Sequence, residues 1–561
     1  MNKEENIRHS LSHILAIAIK EKYPDVKFGF GPAIENGFYY DFDNLKITEE
    51  DLKEIEKRMK HLVKQNLTFE QKEISKKEAK ELFKEQPYKL EQIDEIEGET
   101  VSTYKTLDFI DLCAGPHIEN TKEIKPDTFK LDKLAGAYFK GDEKNQMLTR
   151  IYGIAFESKE KLDDYLKMLE EAEKRDHKKL GKELDLFSFH PEAPGCVYWH
   201  PKGMILWDML EKFGQNIRKK YGYEKIKTPQ IAKNNLWITS GHWDHYKDDM
   251  FIINVEEEIY CLKPMDCPFN IQIFQTKQRS YKDLPIRYTE IGHVMRNEKS
   301  GELNGLFRVR EITQDDSHVF LREDQIEEEI SRLIQMINEY YSALNIEPNF
   351  FLSTRPDNFM GEIETWDKAE DDLKNVLQKH NINYGLKEKD GAFYGPKIDI
   401  NIKDALKRSW QVATIQLDFQ LPSKFKCEYI DEKGEKKTPV MLHAAIFGSF
   451  ERMIGILTEH YTGNFPFWLA PVQISIIPVS ENHKDYAYKV KQELLGVRVE
   501  VRDENETVSK KIREVAKSKV PYIITVGDKE MQNNTVSIRK RGNEDLGEMS
   551  IQEFINLENK K

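Results

Sequence analysis

Residues 157 to 187 read ESKEKLDDYLKMLEEAEKRDHKKLGKELDLF. The stretch has no proline and one glycine, and Leu162, Leu166 and Leu169 recur at helical spacing among charged neighbours. Apolar residues three and four apart line one face of a helix, so the pattern predicts a single long charged helix that acts as a spacer. Such a spacer interrupts any continuous core, and 561 residues are in any case too many for one. The expected division is residues 1–155, a linker helix over 156–188, a block over 189–463 and a last block over 464–561.

The blocks differ in character. Residues 1–155 mix helix and strand patterns, and 189–463 is rich in aromatics, Gly and Pro turns and isolated histidines. From Asn464 onward the pattern changes again. VQISIIPV, VRVEV, YIITV and TVSIRK read as short strands, with helical segments around 484–494 and 508–519 between them. That alternation predicts a small α/β domain with a largely parallel sheet. The whole chain carries −13, yet this last block is close to charge-balanced and holds the basic runs KKIREVAKSK and RKR. By charge alone it is the best candidate to touch nucleic acid, although a solvated helix face fits the same residues.

Composition excludes several classes. A hydrophobic share of 39% with 33% charged residues is that of a globular chain rather than a disordered one. No apolar run is long enough to span a bilayer, so no membrane partner is expected. MNKEENIRHS lacks the apolar core of a signal peptide, which gives a cytoplasmic reading. The cysteines Cys113, Cys196, Cys261, Cys267 and Cys427 are few and scattered, unlike a disulfide framework.

Five local segments could do chemistry. In HSLSH, His9 and His13 lie four apart on an expected helix and so share a face. In DLCAGPH, Cys113 and His117 flank a Gly-Pro turn. The two His, Cys and His together would suit zinc, or a water-activating pocket with neutral imidazoles as bases. HSLSH lacks the glutamate of the H-E-x-x-H metalloprotease signature, which removes that reading. RNEKSGELNGLFRVREITQDDSHVF packs Arg296, Arg308 and Arg310 around a Gly-containing loop, with Glu298, Asp315 and Asp316 interleaved. Strands joined this way could clamp a triphosphate, and equally could be a hairpin with surface ion pairs. GSFERM opens a helix with Arg452 in its first turn, where phosphates are favoured, and GAFYGPK adds Tyr394 and Lys397.

In order along the chain, these segments resemble the threonyl-tRNA synthetase family of class II aminoacyl-tRNA synthetases. HSLSH with DLCAGPH resembles that family's editing site; RNE…FRVRE…TQDDSH resembles motif 2 and GSFER motif 3. YEKIKTPQI, with Pro229, resembles motif 1, which implies a homodimer. SGHWDHY, KPMDCP, ATIQLDF and WLAPVQ also match in order. The resemblance implies a multidomain α/β and α+β protein. Its parts would be an α+β editing domain, an antiparallel-sheet catalytic domain and an α/β anticodon-binding domain. The implied reaction joins L-threonine to tRNA(Thr) through a threonyl-adenylate made from ATP with Mg2+.

The implied roles follow position by position. Arg296 would hold the α-phosphate, Arg308 and Arg452 the γ-phosphate, and Glu298 would read the adenine amino group. Lys397 would assist at the α-phosphate and His242 at the transfer step. One Zn2+ per subunit would sit on Cys267, His318 and His443. Asp316 would take the substrate ammonium, with Tyr394, Gln314 and Gln416 lining the pocket. Demanding a polar contact from the hydroxyl rejects valine strongly, whereas one methyl separates serine by only about 1–3 kcal/mol. A second, hydrolytic site is therefore implied at His9, His13, Cys113, His117, Lys89 and Asp111, working through water. Asn505, Glu530 and Arg539 match positions that contact anticodon bases.

The chain departs from the family pattern in places. It starts directly at the editing domain, without the small ubiquitin-like domain of the usual bacterial form. Ala444 follows His443 where arginine is usual, and Ile312 replaces the aromatic that stacks on adenine. KPM is followed by Asp266-Cys267-Pro268-Phe269-Asn270 rather than N-C-P-x-H, and Val412 and Ala413 stand beside the pocket. Two alternatives remain at this point: a class II relative for another amino acid, and a non-catalytic paralogue that binds tRNA or mRNA.

Overall fold

The computed structural model describes residues 2–142, 144–404 and 408–558. It divides into two compact units, 1–171 and 172–561. In the first, helix α1 (Lys3–Lys22) opens with a capping box: Asn2 accepts from the Glu5 amide at 2.9 Å, and Glu5 accepts from the Asn2 amide at 2.8 Å. These bonds satisfy helix-end donors that would otherwise be orphaned. Every residue from Arg8 to Ile19 is buried, so this helix is covered on all sides and its polar residues must find partners inside. An antiparallel sheet orders its strands 27–28, 37–43, 147–155 and 129–138, and a smaller sheet joins 70–75, 100–106 and 109–112. Helix α2 (Pro87–Glu95) brings in Lys89.

The charged stretch is two helices rather than one. Helix α3 (Lys159–Arg175) ends at Asp176, whose backbone leaves the helical region (φ −49°, ψ 118°). The Asp176 carboxylate then accepts from the Lys178 amide at 2.6 Å and starts helix α4 (His177–Glu183). The unit boundary falls inside α3, and α4 is not a spacer: His177, Leu180 and Gly181 are buried in the second unit. Leucine spacing could not reveal this, because an aspartate cap interrupts a helix without disturbing its apolar period.

The second unit is built on an eight-stranded sheet. Its centre is antiparallel, in the order β1 (Ile286–Met295), β2 (Glu311–Leu321), β5 (Val440–Ser449), β4 (Ser409–Asp418), β3 (Lys397–Lys403). Short strands at 224–225 and 384–387 add parallel edges. Helices Pro201–Lys220 and Ile326–Ala343 contribute Leu206, Leu210, Ile334 and Tyr340 to the core around this sheet. Helix α5 (Phe450–His460) follows β5, its first turn capped by Ser449.

The C-terminal sheet corrects the expectation of a largely parallel one. Strands 499–501, 474–478 and 522–526 are parallel, but 536–540 and 544–549 form an antiparallel hairpin added at one edge. The turn residues Gly542 and Asn543 both take positive φ, which closes that hairpin. The expected helices are present at Lys484–Glu493 and Val508–Lys517.

Candidate functional sites

The first unit does bring His9, His13, Cys113 and His117 together, with one ligand atom of each within 4.8 Å of the others. Gly115 makes this possible: its φ is +71°, and a Cβ there would lie 2.3 Å from the Tyr104 hydroxyl. His9 Nδ1 donates to the Pro116 carbonyl at 3.2 Å. Ser10 gives its own proton to the Asn6 carbonyl, so its oxygen accepts from His117 Nδ1 at 3.1 Å. Both imidazoles are thereby fixed with Nε2 unprotonated, and both Nε2 atoms face Cys113 Sγ, at 3.3 and 3.4 Å.

Burial sets the protonation here. It holds His9 below the usual imidazole range and His13 well below it, the latter helped by His9 and Lys89. His117 is also lowered, again by burial first and then by His13 and His9. Cys113 is pushed up to about 12, so it is a thiol rather than a thiolate. Lys89 Nζ lies 2.5 Å from Asp111 Oδ1, and Asp111 Oδ2 is 3.5 Å from His13 Nε2. Tyr40, which sequence reasoning missed, donates to Asp111 at 2.6 Å. The arrangement offers two neutral bases and a locked carboxylate–lysine pair, the equipment for moving protons to and from a water.

In the second unit, strand register assembles the site. Residues directly opposite on adjacent strands share a face. Lys397 pairs with Gln416, Gln416 with His443, and His443 with His318, so four strands lay these side chains in one row. Cys267 begins the helix Cys267–Phe274 and completes a buried Cys, His and His set within 4.8 Å. His443 Nε2 donates to Asp418 at 2.9 Å, which leaves its Nδ1 lone pair facing His318 Nε2 at 3.2 Å. His318 Nδ1 is buried without a partner. Burial and the carboxylates of Asp316, Asp418 and Asp266 push the Cys267 thiol far up. A thiol and two imidazoles, one backed by a carboxylate and all surrounded by acids, are a donor set that fits a divalent zinc ion.

Beside this row lies a cavity of about 450 Å³ lined by Arg296, Glu298, Arg308, Ile312, Gln314, Gln416 and Arg452, among others. Arg308 donates to Glu298 at 2.8 Å, and Arg452 donates to the Phe307 carbonyl at 3.1 and 3.2 Å. Arg452 is held below the ordinary guanidinium value by burial and by repulsion from Arg296 and Arg308. A buried guanidinium repelled by two others across one cavity is a site for a polyanion. Lys397 is not among the cavity's lining; its ammonium pairs with Asp399 at 3.0 Å and Asp390 at 3.4 Å. Tyr394 donates to Gln416 at 2.7 Å and stacks on His443, with 5.1 Å between rings. Asp316 is pushed well up by burial and by Asp266 and Glu290. His242 is fully buried, bonded to Ser240, and lowered to about 3 by burial, then by His443 and Arg296.

The departures fall in different places. Ile312 lines the cavity, whereas Ala444 pairs with Ser317 on the opposite face and is buried in the core. Asp266 is buried against Lys263, at 2.5 Å, an ion pair that no local pattern announced. In the C-terminal block, Asn505 and Glu530 follow the carboxyl ends of parallel strands 499–501 and 522–526. Glu530 accepts from the Gly527 amide at 2.9 Å. Arg539 is exposed but pairs with Ile523, toward the other end of its strand.

Comparison with known proteins matches three stretches of the chain to family models. Residues 250–461 match the tRNA synthetase class II core domain (G, H, P, S and T) and 473–560 an anticodon binding domain. Residues 101–152 match the threonyl and alanyl tRNA synthetase second additional domain. Threonine–tRNA ligase from Acetivibrio thermocellus is 51% identical over 98% of this chain and 87% of its own length. The chain belongs to the threonyl-tRNA synthetase family. The family member from Thermotoga maritima is 49% identical over the same 98% of this chain. A crystal structure titled the RNA binding domain of threonyl-tRNA synthetase from Cryptosporidium parvum Iowa II matches with TM-score 0.66 and 40% identity. It covers 68% of this chain and 96% of that one. A class II synthetase core, an anticodon-binding domain and the additional domain of threonyl and alanyl synthetases are thus parts of this family member. Among the described residues no helix is long and apolar enough to cross a membrane.

Proposed function

We propose that this chain activates L-threonine with ATP, transfers it to tRNA(Thr), and hydrolyses Ser-tRNA(Thr) formed in error. One observation carries the reading: the arginine cavity and the Cys267, His318 and His443 set lie side by side, because Gln416 lines the cavity and pairs across the sheet with His443. A nucleotide and an amino acid bound there would meet, as adenylate formation requires.

Arg296 would meet the α-phosphate, where charge builds during carboxylate attack, and Arg308 and Arg452 the γ-phosphate; Mg2+ would arrive with the ATP. Glu298 would read the adenine amino group. Asp316 would hold the ammonium, with Gln314, Gln416 and Tyr394 closing the pocket. Lys397, one row position from Gln416, would reach the α-phosphate by leaving Asp390 and Asp399. His242, kept neutral, would stand ready to move a proton at the ribose during transfer. Cys267, His318 and His443 would hold zinc, which when bound supplies an open position for the amino and hydroxyl groups of threonine.

In the first unit, His9 and His117 would accept a proton from water at the mischarged ester through Nε2. Lys89, Asp111 and His13 would hold the ester in place. Asn505, Glu530 and Arg539 would contact unstacked anticodon bases, and the Pro229 segment would form a homodimer. A cytoplasmic location fits this work.

Amino-acid-dependent ATP–pyrophosphate exchange tests the reading, with threonine, serine and valine compared. Strong exchange with threonine, weaker with serine and none with valine is the expected result. Absence of exchange alongside retained tRNA binding would favour the non-catalytic paralogue.

A further inference from the structure

The strongest buried polar cluster outside both sites lies where α4 meets α5. His177 is 1% exposed and Glu459 4%. Glu459 Oε1 accepts twice from one residue, from the His177 amide at 3.1 Å and from His177 Nδ1 at 2.7 Å. Its other oxygen is ion-paired with Arg408. A carboxylate can only accept, so the His177 proton sits on Nδ1 and Nε2 carries a lone pair. That lone pair accepts from the Leu306 amide at 3.0 Å. Both ring nitrogens are therefore satisfied by protein, which leaves none for a metal and makes the imidazole a fixed connector.

What it connects is the tip of the loop that carries Arg308. Gly305 takes φ +50°, and a Cβ there would stand 2.2 Å from His177 Nε2. The Phe307 ring lies 4.2 Å from the His177 ring and 4.3 Å from Trp410. The Phe307 carbonyl, one residue past the seated amide, takes both hydrogen bonds from Arg452. Arg308 follows at once. One imidazole thus ties the loop bearing one phosphate-facing arginine to the far end of the helix that bears the other.

We infer that His177, fixed by Glu459, is a positioning residue for ATP: it seats the Leu306–Phe307 backbone so that Arg308 and Arg452 converge on one triphosphate. This rests on the reading of Arg308 and Arg452 given above. The alternative is a merely structural tie, whose loss would lower the amount of folded enzyme without changing nucleotide affinity.

Three substitutions in the full chain separate these. His177→Asn keeps a donor for Glu459 but cannot reach Leu306. His177→Gln places an amide oxygen near the Nε2 position and can again accept from the Leu306 amide. Pyrophosphate exchange would be measured with ATP and threonine varied separately, with Arg308→Ala as reference. Loss of one buried acceptor should raise KM for ATP in His177→Asn roughly five- to tenfold, with KM for threonine changed less than about twofold. His177→Gln should recover most of the ATP affinity. If His177→Asn lowers only the active fraction, or Asn and Gln behave alike, the inference is overturned while the arginine reading stands. If Arg308→Ala leaves KM for ATP unchanged, the arginine reading falls and the inference with it. Should His177→Asn fold poorly, Glu459→Gln takes its place: a raised KM for ATP at normal KM for threonine supports the inference, and an unchanged KM for ATP overturns it.

Discussion

The two histidine–cysteine clusters use nearly the same side chains and differ in the charge around them. Cys267, His318 and His443 sit among Asp266, Asp316 and Asp418; buried Lys263 pairs with Asp266, while Asp418 backs one imidazole directly. Among the described residues, Asp111 is the carboxylate that acts on His9, Cys113 and His117, and it is already paired with Lys89. In the first cluster carboxylates outnumber the buried ammonium of Lys263 and favour a cation; in the second the Lys89 ammonium matches the carboxylate and opposes one. Donor type alone therefore does not decide whether such a cluster suits a cation; the balance of the surrounding charges does.

The sharpest way to break this contrast is chelation. On the proposed zinc reading of Cys267, His318 and His443, a chelator should lower threonine-dependent exchange roughly a hundredfold or more, while hydrolysis of Ser-tRNA(Thr) is unchanged. A parallel loss of hydrolysis would show that both clusters hold metal. Next in size, His117→Ala should cut hydrolysis of Ser-tRNA(Thr) roughly a hundredfold and leave threonine attachment within about twofold. Equal losses in the two assays would mean that the clusters are not independent.

A smaller effect concerns pH. His9 and His13 have lowered values, so below about pH 6.5 the unfolded chain binds protons that the folded one refuses. Stability of the first unit is then complete above that pH and falls as pH drops through it, by up to about 1.4 kcal/mol per unit for each imidazole. Hydrogen exchange of the α1 amides at pH 7.5 and 5.5 measures it, and His13→Asn should flatten the dependence. Smallest is Ile312→Phe, which restores an aromatic surface at the cavity. It should lower KM for ATP roughly three- to tenfold without altering discrimination against serine.

The motif residues were legible because each lies within a short segment whose local geometry is set locally: a helix face for His9 and His13, a Gly-Pro turn for Cys113 and His117. The Cys267, His318 and His443 set was available only through resemblance, since strand register and a helix start bring its members together across long separations. Lys263, Asp418, His177 and Glu459 were missed for the same reason; each looks locally like an ordinary polar residue. The helix break at Asp176 is different. Its signal, an aspartate ahead of the run His177-Lys178-Lys179-Leu180, was in the sequence but was outweighed by the leucine period. The C-terminal sheet was misread because its last strand, Glu544–Met549, is mostly polar and gave no apolar pattern.

The row of Lys397, Gln416, His443 and His318 has a consequence for how this chain can change. Side chains alternate along a strand, so inserting or deleting one residue before His443 in β5 would turn that imidazole into the helix layer. Leu442 or Ala444 would replace it in the row. A single substitution can leave the pairing of these four strands in place, but a one-residue change in length cannot. The loops between the strands are where length is free to vary, and the reaction is held in place by counting.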